Sequence, residues 1–135
     1  MYSITVRNNI LIAHTLPGEV FGPAQNMHGA TYIVDAEFFA KELNEFNIIM
    51  DLGVVTEILA GVLKFYSYKN LDEIAEFNNI ITTTEFLAKD IFNKITDKLK
   101  KDYSNDFKKL YKIKIILTES NLAWATYEDE IKNNL

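Results

Sequence analysis

Apolar residues recur at every second position near both ends of this chain and at every third or fourth position in its middle. That switch of period limits the folds open to it, because a strand turns successive side chains to opposite faces while a helix repeats every 3.6 residues. Tyr2, Ile4 and Val6 alternate with Ser3, Thr5 and Arg7, and Ile10-Leu11-Ile12-Ala13-His14 resumes the pattern after Asn8-Asn9, where a bend or bulge is expected. A second strand runs from about His28 to Phe39, with His28, Ala30, Tyr32, Val34, Ala36 and Phe38 on one face. Between the two lies a loop of about a dozen residues, Thr15 to Met27, punctuated by Pro17-Gly18 and Gly22-Pro23; loops of that length are often functional.

The middle of the chain reads as two helices. Asp51 is placed to cap the first, and Val55, Ile58, Leu59, Val62 and Leu63 form its apolar stripe. Thr82 and Glu85 have the spacing of a capping box for the second. Leu87, Ile91, Ile95 and Leu99 follow at i, i+4, and Lys98, Lys100 and Lys101 gather at the C-terminal end, where the helix dipole favours cations. Two further strands, Lys112 to Thr118 and Leu122 to Tyr127, turn at Asn121. The order ββααββ predicts an α+β fold: an antiparallel four-stranded sheet with two helices on one face.

Composition narrows the functions. The 135 residues suit one domain, 1–135, with an ordinary core. A net charge of −5 argues against general nucleic-acid binding. The absence of cysteine removes disulfides, thiolate metal sites and cysteine nucleophiles. No apolar run reaches the roughly 20 residues of a membrane span, and the N-terminal residues alternate as a strand instead of forming the apolar stretch of a signal peptide. The expectation is a cytoplasmic protein without nucleic-acid or membrane partners.

The only two histidines, His14 and His28, fall on the inward faces of the first two strands. Strand histidines are commonly hydrogen-bonded polar residues, but two together can also ligate a metal. Glu119 follows Ile113, Ile115 and Leu117 in register, so it ends an inward face, where a carboxylate needs a partner. A guanidine-like edge offers one, two N–H donors to two oxygens.

The segment Met27-His28-Gly29-Ala30-Thr31-Tyr32 resembles the His-Gly-His-x-Tyr signature of the 6-pyruvoyl-tetrahydropterin synthase and 6-carboxytetrahydropterin synthase family. Four further segments resemble it in order: Ala13-His14, Asp51-Leu52-Gly53, Thr83-Thr84-Glu85 at the start of the second helix, and Thr118-Glu119-Ser120 with Ala125-Thr126-Tyr127. The resemblance covers nearly the whole chain. It implies the tunnelling fold, in which subunits join their sheets into an oligomeric β-barrel as trimers or hexamers. It implies a pterin-like or purine-like ligand bound between subunits, gripped by Glu119 and held near Thr83 and Thr84. It implies zinc on His14 and His28, and a lyase acting on dihydroneopterin triphosphate or a related pterin.

Three positions depart from the family pattern. Its catalytic cysteine is Ala24 here, its third zinc histidine is Ala30, and Ser67-Tyr68 stand for its catalytic Asp-His pair. Ser67 and Tyr68 are therefore the catalytic candidates, tyrosine being able to serve as acid or base. Glu19, ahead of Gln25, is the candidate for the missing metal ligand, because a catalytic zinc wants three protein ligands. The alternative is a pterin- or purine-binding scaffold without catalysis.

Overall fold

A computed structural model describes residues 1–132. Its elements in chain order are β1 (Tyr2–His14), β2 (His28–Ala40), α1 (Leu52–Leu63), β3 (Lys69–Asn70), α2 (Thr84–Asp102), α3 (Ser104–Lys109), β4 (Lys112–Ser120) and β5 (Ala123–Glu130), with 3-10 turns at Glu19–Gln25, Leu71–Glu73 and Ala75–Phe77. The four long strands and two long helices are those read from the periodicity. The sheet itself differs from expectation. It has five strands, in the order β3-β1-β2-β4-β5, and it is mixed, because β3 runs parallel to β1. Two residues carry no periodicity, so β3 had no signal of its own. It forms because the chain leaving α1 comes alongside β1, where the Tyr68 amide donates to the Leu11 carbonyl at 2.6 Å. The short α3 is the second addition to the ββααββ order. Among the described residues the sheet is open and no barrel closes.

The first two strands pair without a slip from Tyr2↔Ala40 to His14↔His28. The expected irregularity at Asn8-Asn9 is absent: Asn8 pairs with Val34 and Asn9 with Ile33. The bulge lies elsewhere, between Thr118 and Ser120, where β4 shifts register against β5.

The helices cover one face of this sheet. Val6, Ile10 and Ile12 of β1, Tyr32, Val34, Ala36 and Phe38 of β2, and Ile113, Ile115 and Leu117 of β4 are buried on that face. Against them pack Val55, Ile58, Leu59 and Leu63 of α1 and Leu87, Ile91, Ile95 and Leu99 of α2. Burying each such side chain contributes about 1.5–3 kcal/mol, which is why the alternation and the two stripes select this one packing. The uncovered face carries polar pairs: Arg7 with Asp35 through two hydrogen bonds (2.7 and 3.0 Å), Ser3 with Glu37, and Lys112 with Glu128. Among the described residues no helix is long and apolar enough to cross a membrane.

Asp51 caps α1 as its position suggests, accepting from the Gly53 and Val54 amides at 2.6 and 3.2 Å. Asp51→Ala is expected to cost about 1 kcal/mol and lower the unfolding midpoint by roughly 3–5 °C. Thermal unfolding followed by circular dichroism measures both, and an unchanged midpoint would show that the cap carries no weight. For α2 the cap is Thr83, one residue later than the capping-box spacing implies; its hydroxyl accepts from the Phe86 amide at 3.1 Å. Thr82 is engaged elsewhere.

Candidate metal and ligand site

His14 ends β1 and His28 begins β2, and the antiparallel register places them directly opposite each other. Their ring centroids are 4.7 Å apart at 63°. His14 is buried, and its Nδ1 lies 2.9 Å from Thr82 Oγ1. His28 is half-buried, and its Nδ1 lies 2.8 Å from the Asn26 carbonyl oxygen. A carbonyl oxygen can only accept, so His28 Nδ1 carries the hydrogen, which in a neutral ring leaves the lone pair on Nε2. Second partners on Nδ1 orient metal-binding imidazoles in just this manner. Thr82 is thus a buried hydroxyl that aims a histidine. The capping-box spacing concealed that role.

Burial lowers the His14 pKa below its ordinary value of 6.5, with the neighbouring His28 acting the same way; Asp72 and the Thr82 backbone oppose them. The unfolded chain therefore binds a proton near pH 6.5 more readily than the folded metal-free chain does. Linkage makes the resulting stability fully present above about 6.5 and lost as pH falls through the lower folded value. Between about pH 7.5 and about pH 5.5 the metal-free protein is expected to lose more stability than His14→Gln does. Urea unfolding of both proteins at the two pH values measures the difference, and equal losses would count against a depressed His14.

Of the remaining candidates, Glu19 opens the 3-10 turn of the β1–β2 loop and is exposed. Gly22, at φ 53 and ψ −127, kinks that turn in a backbone region open to glycine. Among the described residues no group of three His, Cys, Asp or Glu side chains is gathered that could hold a metal ion. Glu19 accordingly does not join the two histidines in this conformation, and the Gln25 amide donates to the Gly22 carbonyl instead. Ala30 is half-buried opposite Ile12, on the histidines' face, and offers no donor atom. Two imidazoles fit a zinc site; the third ligand is not in place.

Tyr68 and Ser67 stand at the sheet edge. Tyr68 is 83% exposed and has a left-handed backbone, φ 61, which is strained for a bulky side chain. Its backbone partner Leu11 precedes His14 by three residues, roughly 10 Å along a strand. Ser67 is half-buried, with its amide bonded to the Leu63 carbonyl. Neither is brought against the imidazoles.

At the other side of the same end, Glu119 is exposed and sits in the β-bulge, unpaired between Thr118 and Ser120. Bulges re-aim side chains in this way. Its charge reaches Tyr32, whose pKa is raised first by burial and then by Glu119 and Glu85, while a hydrogen bond with Thr84 pulls it down. Of the three consecutive threonines, Thr82 is on His14 and Thr83 caps α2, while Thr84 opens the helix. Tyr32 was visible in the alternation only as a core residue. Asp72 closes the His14 side by accepting from both the amide and the hydroxyl of Thr15 at 2.9 and 2.8 Å. A recess of about 320 Å³ lined by Thr15, Pro17, Asp72, Ile80 and Ile81 opens there. A larger hollow of about 540 Å³, lined by Lys41, Leu43, Ile49 and Tyr111, lies at the opposite end of β2, away from these groups.

The profile of the family described as 6-pyruvoyl tetrahydropterin synthase matches residues 3–130. Among solved structures, the Caenorhabditis elegans 6-pyruvoyl tetrahydropterin synthase is similar with a TM-score of 0.78 at 23% identity, over 95% of each chain. The Plasmodium vivax 6-pyruvoyl tetrahydropterin synthase is similar at 0.77 and 15% identity, over 96% of this chain and 98% of that one. The Plasmodium falciparum 6-pyruvoyl tetrahydropterin synthase has the same TM-score, identity and coverage. At these identities the structures speak to the fold. Comparison with curated proteins found no match.

Proposed function

The chain belongs to the 6-pyruvoyl tetrahydropterin synthase family and has its tunnelling fold, and from that membership we propose that it binds a pterin-like ligand beside the His14–His28 pair and acts on it as a lyase. The observation that carries this reading is the cross-strand histidine pair, with both Nδ1 atoms held by other groups. His14 and His28 would hold zinc, with Glu19 brought in by movement of its loop. Such an ion, when bound, polarises an oxygen of the substrate.

The chain's own groups divide the remaining work. Glu119 takes the guanidine-like edge of the ring through its two oxygens. Thr82 keeps the His14 imidazole in its plane, and the Thr83–Thr84 segment lines the path between ring and histidines. Tyr68 Oη, with Ser67 beside it, is the proton-transfer candidate. Because both stand at an edge, the site is shared between copies: the stretch of β1 that the two-residue β3 leaves uncovered, the edge of β5, and the exposed Leu122 and Trp124 are the surfaces that a homo-oligomer would cover. In this reading residues 1–135 are one domain of a trimer or hexamer.

A second reading is favoured by one observation, the lack of a gathered three-donor group among the described residues: a scaffold that binds the ligand without catalysis. Elemental analysis of untagged protein separates the two. Near-stoichiometric zinc that disappears in His14→Ala, and falls in Glu19→Ala, is expected. Metal-free protein that still binds a pterin in a Glu119-dependent way would establish the scaffold instead.

A further inference from the structure

The hollow at the far end of β2 has a chemistry of its own. Leu43, Ile49, Leu110 and Ile131 stand in its wall, which encloses about 540 Å³. Ile49 and Leu110 are buried while Leu43 and Ile131 are half-buried, so the wall turns apolar surface toward the opening. Ala40, also in the wall, ends the strand that His28 begins, roughly 40 Å away along β2. The hollow is therefore no part of the His14–His28 site.

Its shape is held by hydrogen bonds within the chain. The Tyr111 amide donates to the Phe39 carbonyl at 2.7 Å and the Ile131 amide to the Tyr111 carbonyl at 2.8 Å, which stitches the ends of β2, β4 and β5 together. On the other side Asn44 closes the Leu43–Ile49 stretch on itself. Its amide donates to the Ile48 carbonyl at 3.0 Å, and its side-chain oxygen accepts from the Phe46 and Ile48 amides at 2.8 and 3.3 Å. A cavity already formed in this way loses little affinity to reorganisation.

The charge at the rim is unusual for this chain. Lys41, Lys109 and Glu42 line the hollow, two cations and one anion, leaving +1 in a protein of net charge −5. The Lys41 ammonium lies 4.8 Å from the centroid of the Tyr111 ring, which holds it over the opening. Among the described residues neither Lys41 nor Lys109 meets a carboxylate at ion-pair distance, whereas Lys94, Lys98 and Lys112 each do. An apolar wall beneath an unmatched positive rim fits an anion with an apolar body, and one negative charge matches the rim. A phosphate dianion would call for more positive charge than the rim carries.

We infer that this hollow is a binding site for a small monocarboxylate with an apolar, ring-sized body. The carboxylate pairs with Lys41 and Lys109, and the body lies against Leu43, Ile49, Leu110 and Ile131. The inference stands independently of the pterin reading.

The test titrates the purified full-length assembly with hydrocinnamate, a phenyl ring on a short carboxylate chain, following saturation transfer from protein to ligand by NMR. Saturable binding with a Kd of about 1 mM or tighter is expected for a ligand of this size. The uncharged amide of the same compound, and propionate, which lacks the ring, should each bind at least about fivefold more weakly. The double variant K41M/K109M should weaken hydrocinnamate by about fivefold and leave the amide unaffected. K69M, which removes a charge at the other end of the sheet, should change neither. No saturation of the unmodified protein below about 10 mM, the result if a neighbouring copy closes the hollow, would overturn the inference. Equal binding of the amide, or undiminished binding by K41M/K109M, would overturn it as well. Zinc content and pterin binding, measured on the same protein, are untouched by any of these results.

Discussion

Phe38→Ala is expected to cost about 3–5 kcal/mol, the range for deleting a fully buried aromatic ring. Phe38 lies on β2, between Ile4 of β1 and Ile113 of β4, with no exposed surface. Strands flank it on both sides and helices cover it, so the surroundings can collapse only in part and a cavity remains. A chain of this length is stable by roughly 7–20 kcal/mol, so the variant stays folded but loses a large share of its margin. The unfolding midpoint should fall by roughly 10–20 °C. Phe46→Ala is the control: Phe46 is 75% exposed, and its loss should stay within about 0.5 kcal/mol. Urea melts of both variants decide the matter. A loss near that of the control for Phe38 would mean that the sheet–helix layer is not packed as described.

Asp90→Ala is expected to cost about 2–4 kcal/mol, because it leaves buried polar partners unmatched. One oxygen of Asp90 accepts from Tyr66 Oη at 2.5 Å and from Lys94 Nζ at 2.8 Å. Tyr66 has no exposed surface, and burial, then Asp90, then Glu76 push its ionisation far above the ordinary range, so its hydroxyl remains a donor at every working pH. Lys94 also lies over the rings of Phe65, Tyr66 and Phe77, 4.3, 5.5 and 5.6 Å from their centroids, and binds Glu76 as well. It keeps those contacts when Asp90 is gone, so the orphaned Tyr66 hydroxyl sets most of the cost. Asp90→Asn retains an acceptor and should lose less, and Tyr66→Phe removes the orphan. A double-mutant cycle between Asp90→Ala and Tyr66→Phe should therefore give a coupling of about 1 kcal/mol or more. Additive losses would show that the two side chains do not depend on each other.

Much of the scaffold was legible because it is written locally. Alternation in Tyr2–Val6 and Tyr32–Phe38 sets which side chains face the helices, and any slip of one residue would expose the whole row. The i, i+4 stripe of Leu87, Ile91, Ile95 and Leu99 is buried throughout. Asp51 caps α1 because an aspartate ahead of a helical stripe can reach two free amides without help from the rest of the chain. The candidate site was legible in its residue types but less so in its arrangement. Thr82 and Thr83 both precede Glu85 at spacings a cap could use, and nothing local distinguishes them.

The choice between those two threonines was made by a histidine 68 residues away. Tertiary packing alone brings His14 to Thr82, aligns Lys69–Asn70 with β1, and turns Glu119 out through a bulge. The periods, the caps and the net charge belong to the chain itself, since they depend on neighbours within a turn or a strand. A two-residue strand or a hydrogen bond between distant side chains has no such local cause, and it exists only once the sheet and helices have buried their common face.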